Sequence, residues 1–155
     1  MKTVTMRNLI LITAKGGNQS VSNKNIIPIH GSPVVSYPIR AAKSSFLSDK
    51  IVVSTNCPRI RHIAEMEGAE TVERPERLCG PQSLHKDVIR FEVERLKNRY
   101  PKIENVVVLL GNTVMVTSGL IDKAFRMLDE PYTDSVVSVW EAQDDHPLRA
   151  LRKNE

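Results

Sequence analysis

Leu11-Ile-Thr-Ala-Lys-Gly-Gly-Asn-Gln-Ser-Val-Ser-Asn-Lys-Asn25 joins the end of an apolar run to a loop of small polar residues carrying two lysines. The apolar residues over Asn8–Thr13 predict a buried first strand. The loop predicts backbone N–H groups turned towards an anion, the arrangement by which α/β proteins hold phosphate. The stretch therefore points to a nucleotide or another phosphorylated ligand. Neither GxxxxGK(S/T) nor the three-glycine spacing of a dinucleotide fold is present, so the loop belongs to neither of those classes.

Outward from the loop, strand-like and helix-like segments alternate, which is the pattern of an α/β sheet. Strands are expected at Asn8–Thr13, Lys50–Ser54, Glu70–Val72, Val106–Leu110 and Ser135–Trp140. Ile51-Val-Val53 and Val106-Val-Val-Leu-Leu110 are continuously apolar, as strands covered on both faces are. Ser32 and Pro33 signal a helix start, with Pro38 predicting a kink or a later first turn. Asn56 and Pro58 open a helix towards Gly68 that buries Ile60, Ile63 and Ala64. Ser83 is expected to cap a helix to about Arg99 that buries Val88, Phe91 and Leu96. Thr117 opens the last, with Leu120, Ile121, Ala124 and Leu128 inward.

The 155 residues suit one domain, residues 1–155, and 41% hydrophobic with 26% charged residues is a globular balance rather than a disordered one. A net charge of +4 favours anionic partners. The cations are dispersed and aromatics are only 5%, which argues against nucleic acid. No run approaches the ~20 apolar residues of a membrane span. Cys57 and Cys79 fit no metal or CxxC spacing and read as reduced thiols of a cytoplasmic protein. Arg90–Arg99 and Arg149–Lys153 read as solvated faces, and Asp144-Asp145 as a solvated loop. His30, His62 and His85 have no visible partner in the sequence.

Larger blocks extend the pattern. Ile12-Thr-Ala-Lys-Gly-Gly-Asn-Gln-Ser-Val-Ser-Asn-Lys-Asn25 runs into Ile26-Ile-Pro-Ile-His-Gly-Ser-Pro-Val-Val-Ser-Tyr-Pro-Ile-Arg-Ala-Ala42. Ile51-Val-Val-Ser-Thr-Asn56, Glu73-Arg-Pro-Glu-Arg-Leu78, Val107-Val-Leu-Leu110, Ser135-Val-Val-Ser-Val139 and His146-Pro-Leu148 follow in order. This series resembles the acylneuraminate (CMP-sugar-acid) cytidylyltransferases, the CMP-N-acetylneuraminate, pseudaminate and Kdo synthetases. Their loop reads I-P-A-R-G-G-S-K-G-I-P-N-K-N, and the likeness covers nearly the whole chain.

The resemblance implies a Rossmann-like, three-layer nucleotide-diphospho-sugar transferase fold with a mainly parallel sheet. The first strand is then central and the site lies at the carboxyl ends of the strands. It also implies transfer of CMP from CTP to a 2-keto sugar acid, with pyrophosphate released and Mg2+ as cofactor. The triphosphate would meet Ala14, Lys15, Gly16, Gly17, Asn18 and Lys24, with Lys15 and Lys24 the catalytic cations. Asn25 would brace the loop, and Arg74 would reach the base.

Four positions depart from the family pattern: Lys15 replaces arginine, Gln19 replaces lysine, Pro81 replaces aspartate and Gly111 replaces glutamine. The chain ends soon after His146-Pro-Leu148, so the family's C-terminal dimerisation arm and later metal-binding aspartates are not among its residues. No Mg2+ ligands are identifiable. An exposed sheet edge near Trp140 would favour self-association, and a homodimer is among the expected states. The leading reading is a cytidylyltransferase. Beside it stand a non-catalytic nucleotide-binding homologue, a scaffold that keeps only the fold, and a nucleotidyltransferase acting on a neutral sugar phosphate.

Overall fold

The computed structural model describes residues 6–17 and 21–139. The strands are β1 (Asn8–Thr13), β2 (Pro28–Ile29), β3 (Ser32–Pro33), β4 (Lys50–Thr55), β5 (Glu70–Glu73) and β6 (Asn105–Leu110). The helices are α1 (Ser36–Lys43), α2 (Pro58–Met66), α3 (His85–Arg99) and α4 (Ser118–Leu128).

Four strands form one parallel sheet in the order β5–β4–β1–β6, and β2 pairs with β3 in a small antiparallel ribbon. The chain steps from β1 through β4 to β5, then crosses to the far side of β1 for β6. That reversal beside β1 is the switch point of a doubly wound, Rossmann-like sheet, where ligands bind outside the carboxyl ends of the strands. β1 is central, as expected.

Alternation along the strands divides the core in two. Ile10, Ile12 and Val53 face Ile39 and Ala42 of α1, Ile60 and Ala64 of α2, and Ile121 and Phe125 of α4. Leu9, Leu11, Val52 and Val72 face Leu96 of α3 together with Ile103. Burial on both faces explains the apolar runs of β1 and β4, whereas β6, at the edge of the described sheet, is only half-buried and ends in exposed Leu110.

Several details differ from the sequence reading. Ser32 and Pro33 form β3 rather than a helix start, while α1 begins at Ser36, the later first turn expected from Pro38. Pro38 then lies in the first turn, where its missing N–H costs nothing. Ser83 does not cap α3: Leu84 stands at that position, and the Ser83 hydroxyl donates to the Arg77 carbonyl at 3.0 Å. Phe91 is half-buried, its ring flanked by the guanidinium groups of Arg77 and Arg95. Thr117 does cap α4, accepting from Leu120 N at 3.3 Å.

The inward face of α4 is rotated towards Phe125: Ile121 and Leu128 pack into the core as expected, Asp122 and Phe125 are buried with them, and Leu120 is exposed. Asp122 is held on that face by hydrogen bonds. Its carboxylate accepts from Ser45 Oγ at 2.6 Å, Leu47 N at 3.2 Å and Phe46 N at 3.4 Å, which satisfies the turn between α1 and β4.

Residues 135–139 form no strand, and Val137 and Val139 are exposed. β-branched residues become a strand only when a ladder partner is present. Among the described residues, nothing pairs with the outer edge of β6. Trp140, Asp144, Asp145, His146 and the Arg149–Lys153 run lie outside the described residues.

Candidate functional site

The loop that leaves β1 is fixed by its backbone and by two asparagines. Ala14 N donates to the Ser54 carbonyl at 3.0 Å and its side chain is buried, so Ala14 ends the ladder and offers no free amide. Asn25 Nδ2 donates to the Lys15 carbonyl at 2.9 Å, tying the far end of the loop to its start. Asn25 is itself buried, and its carbonyl accepts from Val35 N at 2.8 Å. The Gly16 amide donates to Oδ1 of Asn56, the residue after β4, at 2.9 Å. Asn18 and Gln19 lie outside the described residues.

Two glycines allow this close approach. A Cβ on Gly16 would sit 2.9 Å from Cys57 Cβ, at the start of α2. A Cβ on Gly111 would sit 2.6 Å from Ala14 Cβ and 3.2 Å from its Cα. Gly111 follows β6 directly and donates its N–H to the Thr13 carbonyl at 2.9 Å. Its lack of a side chain is therefore a packing requirement where β6 and β1 end side by side.

Charged groups converge on the same end of the sheet. Lys15 Nζ donates to the Cys79 carbonyl at 3.4 Å, reaching across the loop to the turn after β5. Lys24 opens a 3-10 turn over Lys24–Ile26 and is half-exposed. Arg74, immediately after β5, is only 5% exposed. Its Nε lies 3.3 Å from Ser54 Oγ, and its Nη2 donates to the Ser54 carbonyl at 3.2 Å. Burial pushes the Arg74 guanidinium below its usual value, while neighbouring Cys79 and Glu92 push it back up. Burial likewise raises the Cys79 thiol, against the pull of Arg74 and Lys15.

Three side chains join this cluster that the sequence reading left out. His85, first in α3, shares a hydrogen bond of 2.9 Å between Nε2 and Thr13 Oγ1. Burial and the charge of Arg74 lower its pKa, which keeps the imidazole neutral at pH 7. Ser54 Oγ donates to Glu92 Oε1 at 2.7 Å. Glu92 is fully buried in the stretch read as a solvated face, and Arg95 Nη2 lies 2.5 Å from its second oxygen. Val88, Glu92 and Leu96 recur every fourth residue, so an acid within an apolar stripe was the available signal. Nothing in the sequence pairs His85 with Thr13, 72 positions away.

The arrangement suits a polyanion, with two lysines and a buried arginine around a loop of amides. Among the described residues, no group of three or more His, Cys, Asp or Glu side chains is placed to hold a metal ion, and Glu92 is paired with Ser54 and Arg95.

Fold and site together define an α/β protein of doubly wound, Rossmann-like topology with a cationic loop at the switch point of its sheet. The chain belongs to the cytidylyltransferase family, whose model matches residues 9–153. It is 27% identical over 122 residues to a pseudaminic acid cytidylyltransferase of Campylobacter jejuni, covering 78% of this chain and 53% of that protein. It is 34% identical over 82 residues to an N-acylneuraminate cytidylyltransferase of Escherichia coli, covering 53% of this chain and 20% of that one. Among solved structures, a CMP:2-keto-3-deoxy-manno-octonic acid synthetase complexed with CTP superposes with a TM-score of 0.60 at 18% identity. That match covers 79% of this chain and 47% of the other, and it carries the fold alone. The chain thus spans about half the length of the Campylobacter relative and less of the Escherichia one. The family read from the loop and the later motifs is borne out.

Proposed function

We propose that this chain binds CTP in the cradle after β1 and transfers CMP to the hydroxyl of a 2-keto sugar acid of the sialic-acid type. The observation that carries the reading is the convergence of Lys15, Arg74 and the Gly16–Gly17 loop at the carboxyl ends of β1, β4 and β5, in a member of this family.

In this reading the loop amides, Lys15 and Lys24 neutralise the triphosphate, and Arg74 donates to the cytosine or packs against it. Gly16 exchanges Asn56 Oδ1 for a phosphate oxygen when ligand enters. The sugar hydroxyl oxygen attacks the α-phosphorus, a new P–O bond forms, and the bond to the β-phosphate oxygen breaks. Pyrophosphate leaves and the hydroxyl proton passes to solvent. Asn18 belongs to the triphosphate contacts of this proposal, as do a cytoplasmic setting and a homodimer to its context. Mg2+ is expected as cofactor, but the described residues provide no ligand set and no step is derived through it.

A second reading, nucleotide binding without turnover, is favoured by one observation: Gly111 cannot carry the side chain that the family places there. Pyrophosphate release from CTP separates the two. With Mg2+ and N-acetylneuraminate, pseudaminate or Kdo as acceptor, the proposal expects release that depends on Lys15. Binding of CTP with no release from any acceptor contradicts transfer by this chain and supports the second reading.

A further inference from the structure

On the face of the sheet that α3 covers, the apolar row ends in polar residues. Leu9 and Leu11 are followed by Thr13, Val52 by Ser54, and Val72 by Arg74. The facing stripe of α3 changes in step, from Leu96 through Glu92 to His85. Glu92 is 0% exposed, and an isolated carboxylate there would cost several kcal/mol.

We propose that Glu92 is a positioning residue for Arg74, holding its guanidinium in one orientation at the floor of the nucleotide site through the hydroxyl of Ser54. The inference rests on the reading of Arg74 as a ligand-facing cation given above.

Hydrogen-bond direction carries the argument. An ionised carboxylate only accepts, so the single hydroxyl proton of Ser54 goes to Glu92 Oε1 at 2.7 Å. The Ser54 lone pairs are then left for Arg74 Nε, 3.3 Å away. Arg74 Nη2 is held at the same residue by the Ser54 carbonyl, at 3.2 Å. The other partner of Glu92 acts on the same place, because Arg95 Nη1 donates at 3.0 Å to the carbonyl of Glu73, the residue before Arg74. Of the two partners of the Glu92 carboxylate, Ser54 contacts Arg74 directly and Arg95 contacts the residue before it. Its negative charge also opposes the burial penalty on the guanidinium. A purely structural ion pair with Arg95 would require neither the serine nor the arginine beyond it.

The test combines calorimetry with CTP and 15N NMR of the Arg74 Nε–H, in the wild type, Glu92→Gln, Arg74→Ala and the double variant. The wild-type Nε–H is expected to be protected from solvent exchange and to lose that protection in Glu92→Gln. CTP affinity is expected to fall about threefold to tenfold in Glu92→Gln and not to fall further when the same change is made in Arg74→Ala. An unaltered Nε–H signal in Glu92→Gln, or an equal loss of affinity in both backgrounds, overturns the positioning role. If the wild type binds no CTP, the reading of the site fails while the Nε–H comparison still decides the inference. Ser54→Ala, which leaves the Glu92–Arg95 pair in place, gives the same comparison if Glu92→Gln does not fold.

Discussion

At position 111 packing decides the residue before chemistry does, because any Cβ there would lie within 2.6 Å of Ala14 Cβ. Gly111→Ala is expected to lose about 1–3 kcal/mol in urea unfolding, the usual cost of overpacking a rigid contact. Asp122 gives a pH-dependent case. Burial alone would raise its carboxyl, but hydrogen bonds from Ser45, Leu47 and Phe46 outweigh it and hold the group below its ordinary value. The stabilisation is then present above the unfolded carboxyl value of about 3.9 and is lost as pH falls through the lower folded value. Asp122→Asn is expected to cost about 2 kcal/mol at pH 7, with the gap to wild type closing below about pH 4 in unfolding experiments. The brace expected from Asn25 is present in its hydrogen bond to the Lys15 carbonyl. The partners of Glu92 and His85 were not legible in the sequence, since those contacts join residues 38 and 72 positions apart and nothing local encodes them.

Elements were legible where one local rule dominated. The apolar runs give the four sheet strands to within a residue or two, and Pro58 and Thr117 mark helix starts correctly. Elements were misread where a second constraint competed. Ser32 and Pro33, expected to open a helix, pair in β3 instead, and α1 begins later, as Pro38 indicated. A buried acid lies on the inward face of α4, and an unpaired Val-rich segment stays out of the sheet. The rotation of α4 is checked by two substitutions. Phe125→Ala is expected to destabilise by about 3–5 kcal/mol, as for a filled core position. Leu120→Ala is expected to change stability by less than about 0.5 kcal/mol, because Leu120 faces solvent. Equal losses from the two would contradict the observed face.

For the molecule as a whole, the order β5–β4–β1–β6 places the ends of β1 and β6 together at the switch point, with the β1 loop above them. A mainly parallel sheet with β1 central followed from alternating strands and helices and from the family motifs, while the order of the other strands came from the structure. The crowding of the cradle did not follow from them, because it depends on how closely Gly16 and Gly111 let neighbouring segments approach. No helix among the described residues is long and apolar enough to cross a membrane. The central claim is that this end of the sheet holds CTP. Calorimetric titration of CTP into the wild type and into Lys24→Ala tests it most directly. A saturable one-to-one binding signal is expected in the wild type, weakened about tenfold or more in Lys24→Ala by loss of a charge-assisted contact. No binding of CTP, or equal affinity in both proteins, would contradict it.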